Sequence, residues 1–433
     1  MLRLPGDHPE RLALASEVHA RPPEPIDSPA RATHLALLVD AAERERELRH
    51  LAGLCQAHGV TPPVAGATHF RAVLGDLRLK WERHGEFSSY TFFADGAAGA
   101  DFDAPAAAGL PAEWLAGIPG ATMAALHGTV LRLGPQEPMP DAQALTAVFG
   151  GHAVVGSEVA EGAGLAFTDF QVHPDGYGRV LLLDRKLTRN QAGRMMQRLF
   201  EIEAYRMMAL LALPIARRQS PRLQVIERSL AALTDGIGSA DHDAKRDEAL
   251  LHDLTRLAAE TESGLSASQF RFAACSAYAD LVTARIAELR ERRIPGLQTI
   301  DEFMTRRFRP AVATCQTVSQ RLHDLSERIS QASGLLRTRV EIARERQNQD
   351  LLASMDRRAR LQLRLQQTVE GLSVAAIAYY VAGLIGYGAK ALDAAGLPLD
   401  PDLATGMSVP VVALAVYLAL RRARRRLHRD TGD

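Results

Sequence analysis

Two apolar runs without a single charge, 371–389 and 403–420, stand near the carboxyl end of the chain, and the second leads directly into Arg421, Arg422, Arg424, Arg425, Arg426 and Arg429. Each run is close to the ~20 residues that an α-helix needs to cross a bilayer core. Runs of this kind cannot lie on the surface of a water-soluble globule, so they predict a hairpin of two membrane spans. Basic residues precede the first run (Arg357, Arg358, Arg360, Arg364) and follow the second, whereas the connection carries Lys390 against Asp393, Asp400 and Asp402. The positive-inside rule then places both termini in the cytoplasm, as expected of a multi-pass protein of the inner (cytoplasmic) membrane. The chain divides into a mixed α/β or α+β cytoplasmic domain at 1–185, a helical arm at 186–370, the hairpin at 371–420 and a basic tail at 421–433.

Composition bounds the function further. Lys plus Arg equal Asp plus Glu at 51 each, so no basic excess points to nucleic acid. Cys55, Cys275 and Cys315 are odd in number and far apart, which predicts buried thiols in a reducing compartment rather than a disulfide framework. The first residues contain no continuous apolar segment of the kind that a cleavable signal requires.

Within the first domain, Asp7 and Glu10 stand in capping-box positions for a short helix running to His19, and Arg21-Pro22-Pro23-Glu24-Pro25 ends it. A buried strand is expected at 34–39 and an amphipathic helix at 41–58. A strand at 70–82 should return through His84-Gly85 as a second at 87–93. Further strands are expected at 122–133, 152–159, 165–172 and 179–183, the last two joined by the turn His173-Pro174-Asp175-Gly176. From Thr188 onward the periodicity is helical. Pro214 should kink or end the first helix, a second covers 221–233, and a third runs over 243–292 until Pro295-Gly296. Pro310 opens the last helix, continuous into the first span. Its apolar stripe recurs at Val318, Leu322, Leu325, Ile329, Ala332, Leu336, Val340, Ala343, Leu351 and Met355, nearer a 3.7 than a 3.5 repeat. Such a helix needs neighbours, either the preceding helices or copies of itself, which predicts a homo-oligomer with coiled-coil character.

The segments His8-Pro9-Glu10-Arg11, Glu17-Val18-His19-Ala20-Arg21-Pro22-Pro23, Leu79-Lys80-Trp81-Glu82-Arg83-His84, Glu201-Ile202-Glu203-Ala204-Tyr205-Arg206, Gln362 through Ser373 and Tyr379-Tyr380 resemble a bacterial family of uncharacterised membrane-anchored proteins, domain of unknown function 3422. The resemblance spans nearly the whole chain and implies membrane anchoring. The family has no established activity, so no catalytic residue is carried over. The order of parts is also similar to that of CorA magnesium channels, but their Gly-Met-Asn signature after the first span is missing: the chain reads Gly383-Leu384-Ile385-Gly386-Tyr387-Gly388-Ala389-Lys390. Lys390 at the mouth of a pore would repel divalent cations.

No constellation supplies chemistry of its own. His8, Glu17, His19 and Arg21 are dense in polar groups, yet Glu17 and His19 fall on different sides of a helix, and docking of the N-terminal arm is the simpler role. Glu201, Glu203 and Arg206 could form an acid/base group, but Glu203 and Arg206, at i and i+3, more simply make a helix ion pair. His152, His173 and Asp175 lie near strand ends, where turn chemistry accounts for them. Gly150-Gly151 and Gly162-Ala163-Gly164 match no phosphate-binding loop. Gln347-Asn348-Gln349-Asp350 interrupts the long stripe as a solvent-facing turn, or, if buried between copies, as a polar layer that fixes register or oligomer state. At the bilayer edge, Arg364, Glu370, Lys390, Arg421, Arg422, Arg424, Arg425 and Arg426 are expected to meet lipid headgroups, with Glu370 paired beside Arg364. Gly371, Gly383, Gly386 and Gly388 are expected to let helices approach closely. The expected function is a non-enzymatic membrane-anchored scaffold or sensor without cofactor, metal or nucleic acid, the alternative being a CorA-like ion transporter.

Overall fold

A computed structural model describes residues 6–17, 22–96, 102–134, 137–238, 244–395 and 400–430. The helices are α1 (Arg11–Glu17), α2 (Arg44–Ala57), α3 (Ala112–Ala116), α4 (Ala142–Val148), α5 (Arg189–Leu210), α6 (Leu213–Gly238), α7 (Ala244–Leu289), α8 (Ile300–Arg307), α9 (Arg309–Ala394) and α10 (Pro401–Asp430). The strands are β1 (Ala30–Leu38), β2 (His69–Leu74), β3 (Leu77–Arg83), β4 (Phe87–Asp95), β5 (Ala121–Arg132), β6 (Val155–Val159), β7 (Gly164–Thr168), β8 (Gly178–Asp184) and β9 (Arg292–Arg293). Contacts divide the chain into two units, one of residues 1–241 with 249–333, the other of 242–248 with 334–433.

The first unit is an α/β domain continued by long helices. Its single nine-stranded sheet has the order β2-β3-β4-β1-β5-β8-β7-β6-β9. All of its strand pairs are antiparallel except β5 with β8. Strand residues alternate between the two faces. Leu35, Leu37, Leu79, Trp81 and Phe92 join Leu51 and Leu54 of α2 in one core cluster. Leu165, Phe167, Leu181 and Leu183 join Leu145 of α4 and the adjoining Phe149 in another. The opposite face takes α5: a Cβ built on Gly128 of β5 would lie 2.6 Å from Met196 Sδ and 2.7 Å from Phe200. Glycine at 128 is therefore what lets α5 lie against the sheet.

Several expectations are corrected in detail. The strand expected at 70–82 is a hairpin of its own, because Gly75 (φ +65°) turns the chain between the paired Leu74 and Leu77. Asp7 does not cap α1: it takes the Arg11 guanidinium, and the Glu10 amide donates to His8 Nδ1 at 3.2 Å. Pro214 does end α5, but α6 begins at Leu213 and holds Pro221 inside it. Burial of Ala216, Leu223, Ile226 and Leu230 outweighs the amide lost there. A two-residue strand, β9, returns from the helical region to pair with Ser157 and Glu158 of β6.

Helix α5 starts with a capping box in which the Gln191 amide donates to Thr188 Oγ1 and the Thr188 amide to Gln191 Oε1. Helices α6, α7 and the first part of α9 pack together. Gln219 bonds the Gly264 carbonyl, and Arg321 grips Glu227 through two bonds of 3.0 and 2.8 Å. The α9 stripe is buried at Val318, Leu322, Leu325, Ile329, Ala332 and Leu336, whereas Leu351 and Met355 are exposed. All three cysteines are buried and free.

In the second unit α9 and α10 form a hairpin of two long apolar helices. Asp400 caps α10, accepting the Asp402 amide at 3.0 Å, ahead of Pro401 at the first helical position. Of the four glycines expected to bring helices together, Gly386 does so: its Cβ would fall 2.6 Å from Thr405 Oγ1. Among the described residues, Gly371, Gly383 and Gly388 have no such neighbour within 4 Å.

Candidate functional site

The residues expected at a membrane edge lie on the two apolar helices. Arg364 and Lys390 are exposed on α9, Glu370 is half-buried, and Arg421 and Arg422 are exposed on α10, whose backbone continues through Arg424, Arg425 and Arg426. Between these charged groups, Leu372, Tyr379, Tyr380, Leu384 and Tyr387 of α9 and Leu403, Met407, Val411 and Leu414 of α10 are exposed. An 18-residue window of mean hydropathy 1.6 occurs in each of 300–394 and 401–419, and the buried share of the two windows is 17% and 0%. The core helix of a soluble protein would be mostly covered, so this exposure is what distinguishes the pair.

In the expected N-terminal cluster, His19 and Arg21 lie outside the described residues and His8 is exposed. The arm that follows does dock on the sheet unit. Arg78 donates to Glu24 Oε1 at 3.0 Å and to the Pro25 carbonyl at 2.7 Å, and the Ile26 amide bonds the Arg189 carbonyl at 3.0 Å.

Two of the family-like segments meet across the α5 face of the sheet. Strand alternation turns Trp81 toward α2, where its indole and the Tyr90 hydroxyl both donate to the fully buried Glu47. The same alternation points Lys80 and Glu82 at α5, where they pair at 3.0 Å while almost wholly buried. Lys80 also donates to Gln197 Oε1 at 3.3 Å, Gln197 donates to Glu201 Oε1 at 2.6 Å, and Glu201 receives the Arg285 guanidinium from α7. Thus Glu201 closes a charged chain from the sheet to the bundle. Glu203 makes the expected pair with Arg206 through bonds of 2.9 and 2.5 Å.

Lys80, Glu82, Gln197 and Glu201 line a cavity with about 20 Å³ of free room, enough for a water molecule. His34 borders it, stacked 5.1 Å from the Phe200 ring, with Nδ1 2.8 Å from Thr91 Oγ1. Its Nε2 is buried with no hydrogen-bond partner among the described residues. Burial, then the nearby His84 and Lys80, pull the His34 pKa from 6.5 down to about 3, so the ring is neutral at physiological pH. Burial and the neighbouring Glu201 raise the Tyr205 hydroxyl well above the usual phenol range.

A second polar cluster forms at the ends of β6 and β7. The strands expected to begin at His152 and to end at Val172 are shorter, and the residues left over become loops. Helix α4 ends in a Schellman motif with Gly150 (φ +66°) in the left-handed position, the Gly151 amide reaching back to the Thr146 carbonyl at 2.8 Å. That motif delivers His152. After β7, Phe170 turns the chain at φ +53° and the Gln171 amide donates to Asp169 Oδ1 at 3.2 Å. The turn at Pro174 then brings His173 back. His152 Nδ1 and His173 Nε2 each lie 2.8 Å from Asp169 Oδ2. Asp175 serves its own turn, accepting the Tyr177 amide. The histidines were visible in the sequence, but Asp169 carries no motif, and only the positive φ beside it aims its carboxylate at both rings. Imidazole nitrogens with a carboxylate are a donor set able to hold a metal ion.

The fold and these sites define a mixed-sheet body with a helix bundle and two long apolar helices. The chain belongs to the family described as protein of unknown function (DUF3422), which matches residues 6–427. No curated protein and no solved structure matches it, so the likeness to CorA channels gains no support.

Proposed function

We propose that the chain is a non-catalytic sensor or scaffold, held at the inner (cytoplasmic) membrane of a bacterium by the α9–α10 hairpin, with its body and both termini in the cytoplasm. The observation that carries this reading is the uncharged, uncovered apolar surface on both helices. In water that surface would drive aggregation, and lipid is the solvent that removes the cost. Arg364 before the first span and Arg421 with Arg422 after the second favour cytoplasmic ends. The small free room of the cavity, together with the pairing of its charges, supports a structural and not a catalytic role for the Lys80–Glu82–Glu201 chain. Leu351, Met355, Leu361 and Leu365 are exposed beyond the packed part of α9, which supports association with further copies of the chain.

Labelling of introduced cysteines in intact spheroplasts tests the topology, since the native thiols are buried. A membrane-impermeant maleimide should label Ala395→Cys, between the spans, and spare Leu352→Cys, labelling the latter only after the cells are lysed. Labelling of Leu352→Cys in intact spheroplasts, or protection of Ala395→Cys, would refute it.

A further inference from the structure

We propose that His152, Asp169 and His173 bind one divalent transition-metal ion of the zinc type. The site is separate from the apolar helices, and the inference does not depend on membrane anchoring. It starts from charge. The Asp169 side chain is fully buried, and its ion-pairing partners among the described residues are the two imidazoles alone, with no Arg or Lys in reach. A buried carboxylate needs a countercharge. Two imidazole nitrogens face the same oxygen, Asp169 Oδ2, and a cation shared by all three groups would supply it.

The donor set selects the ion. Two imidazoles and one carboxylate suit zinc and its first-row neighbours, while calcium and magnesium take shells of oxygen ligands. The three donor atoms already lie within 4.8 Å of one another. Ligands around tetrahedral zinc at ~2.0 Å bonds stand about 3.3 Å apart, so the 2.8 Å nitrogen–oxygen separations must widen slightly as the ion takes the place of the two hydrogen bonds. Each neutral ring binds it through the nitrogen that faces Asp169 and keeps its proton on the other. The freedom to do so belongs to His152, whose side chain is 43% exposed, whereas His173 is at 3%. Three protein ligands leave a coordination position on the open His152 side for water or an exogenous ligand.

The backbone around the cluster is built to hold it. Phe170 is a bulky residue at φ +53°, a conformation that costs free energy and persists only where surroundings impose it. Its ring is held by Phe303, stacked at 4.8 Å, and by Arg206, 5.6 Å above it. Opposite, a Cβ on Gly150 would come within 3.6 Å of the His173 ring.

The test uses the full chain in detergent micelles, stripped with a chelator and titrated with zinc chloride by calorimetry, with cobalt(II) as a spectroscopic stand-in. One equivalent should bind, and cobalt should give the visible bands of a low-coordinate nitrogen–oxygen site. His152→Ala, at the exposed ligand, should keep the far-ultraviolet circular dichroism and lose at least ~100-fold in zinc affinity, since even outer-shell losses cost 10–100-fold. Asp169→Asn should do the same, and His323→Ala, at a distant exposed histidine, should bind as the parent does. Absence of saturable zinc binding, or binding unchanged in a folded His152→Ala chain, would overturn the proposal.

Discussion

The buried histidine beside the cavity makes the stability of the sheet unit depend on pH in a calculable way. His34 has a folded pKa of about 3 against 6.5 for an exposed imidazole, so the unfolded chain takes up a proton there before the native one does. Its contribution is fully present above pH 6.5 and is lost as the pH falls from 6.5 toward 3. At pH 5 the unfolded imidazole is almost wholly protonated and the folded one almost wholly neutral. The linkage then removes about 2 kcal/mol, rising to about 5 kcal/mol below pH 3, at 1.36 kcal/mol per unit of pKa. His34→Asn keeps a polar group for Thr91 and has nothing to titrate. Both tryptophans, Trp81 and Trp114, belong to the same unit, so their fluorescence follows its unfolding in denaturant. Between pH 7.5 and 5 the parent should lose about 2 kcal/mol more than His34→Asn. Equal losses would show that the ring is not held neutral, and the packing argument for the cavity would fail.

Two other substitutions probe the two faces of the sheet. Glu47→Ala strips the acceptor from Trp81, Tyr90 and Arg83 in a fully buried setting, and should cost about 3 kcal/mol or more in denaturant unfolding. Gly193→Ala would place a Cβ 1.9 Å from the Glu24 carbonyl oxygen. It should destabilise by about 1–3 kcal/mol and free the arm at 22–26 to proteolysis, and an arm as resistant as the parent's would contradict its docking on α5.

The architecture was legible wherever one force dominates. The uncharged runs and Pro214 act locally: both runs are helical, and α5 ends just ahead of Pro214. The strands expected at 34–39, from a continuous apolar run, and at 87–93, from aromatic and β-branched residues, are present as 30–38 and 87–95. Gly75, however, divided the run at 70–82, because a single glycine can be either a tolerated strand residue or a turn. The polar sites were legible only in part. Lys80, Glu82 and Glu201 stood in recognisable segments, yet their pairing depends on α5 crossing the sheet at Gly128, a tertiary fact. The His152 cluster was hidden for the same reason: its carboxylate, Asp169, is supplied by a residue with no local signature and is aimed by the unusual backbone at Phe170.

Alkaline carbonate extraction of membranes, run on the full chain and on a chain cut after Gln367, bears most directly on the central claim. The full chain should stay with the lipid through the wash, and residues 1–367 should appear in the soluble fraction with the sheet unit folded. Release of the intact chain by carbonate would contradict the assignment of lipid as the solvent of α9 and α10, and so would a truncated chain that still pellets with the membrane.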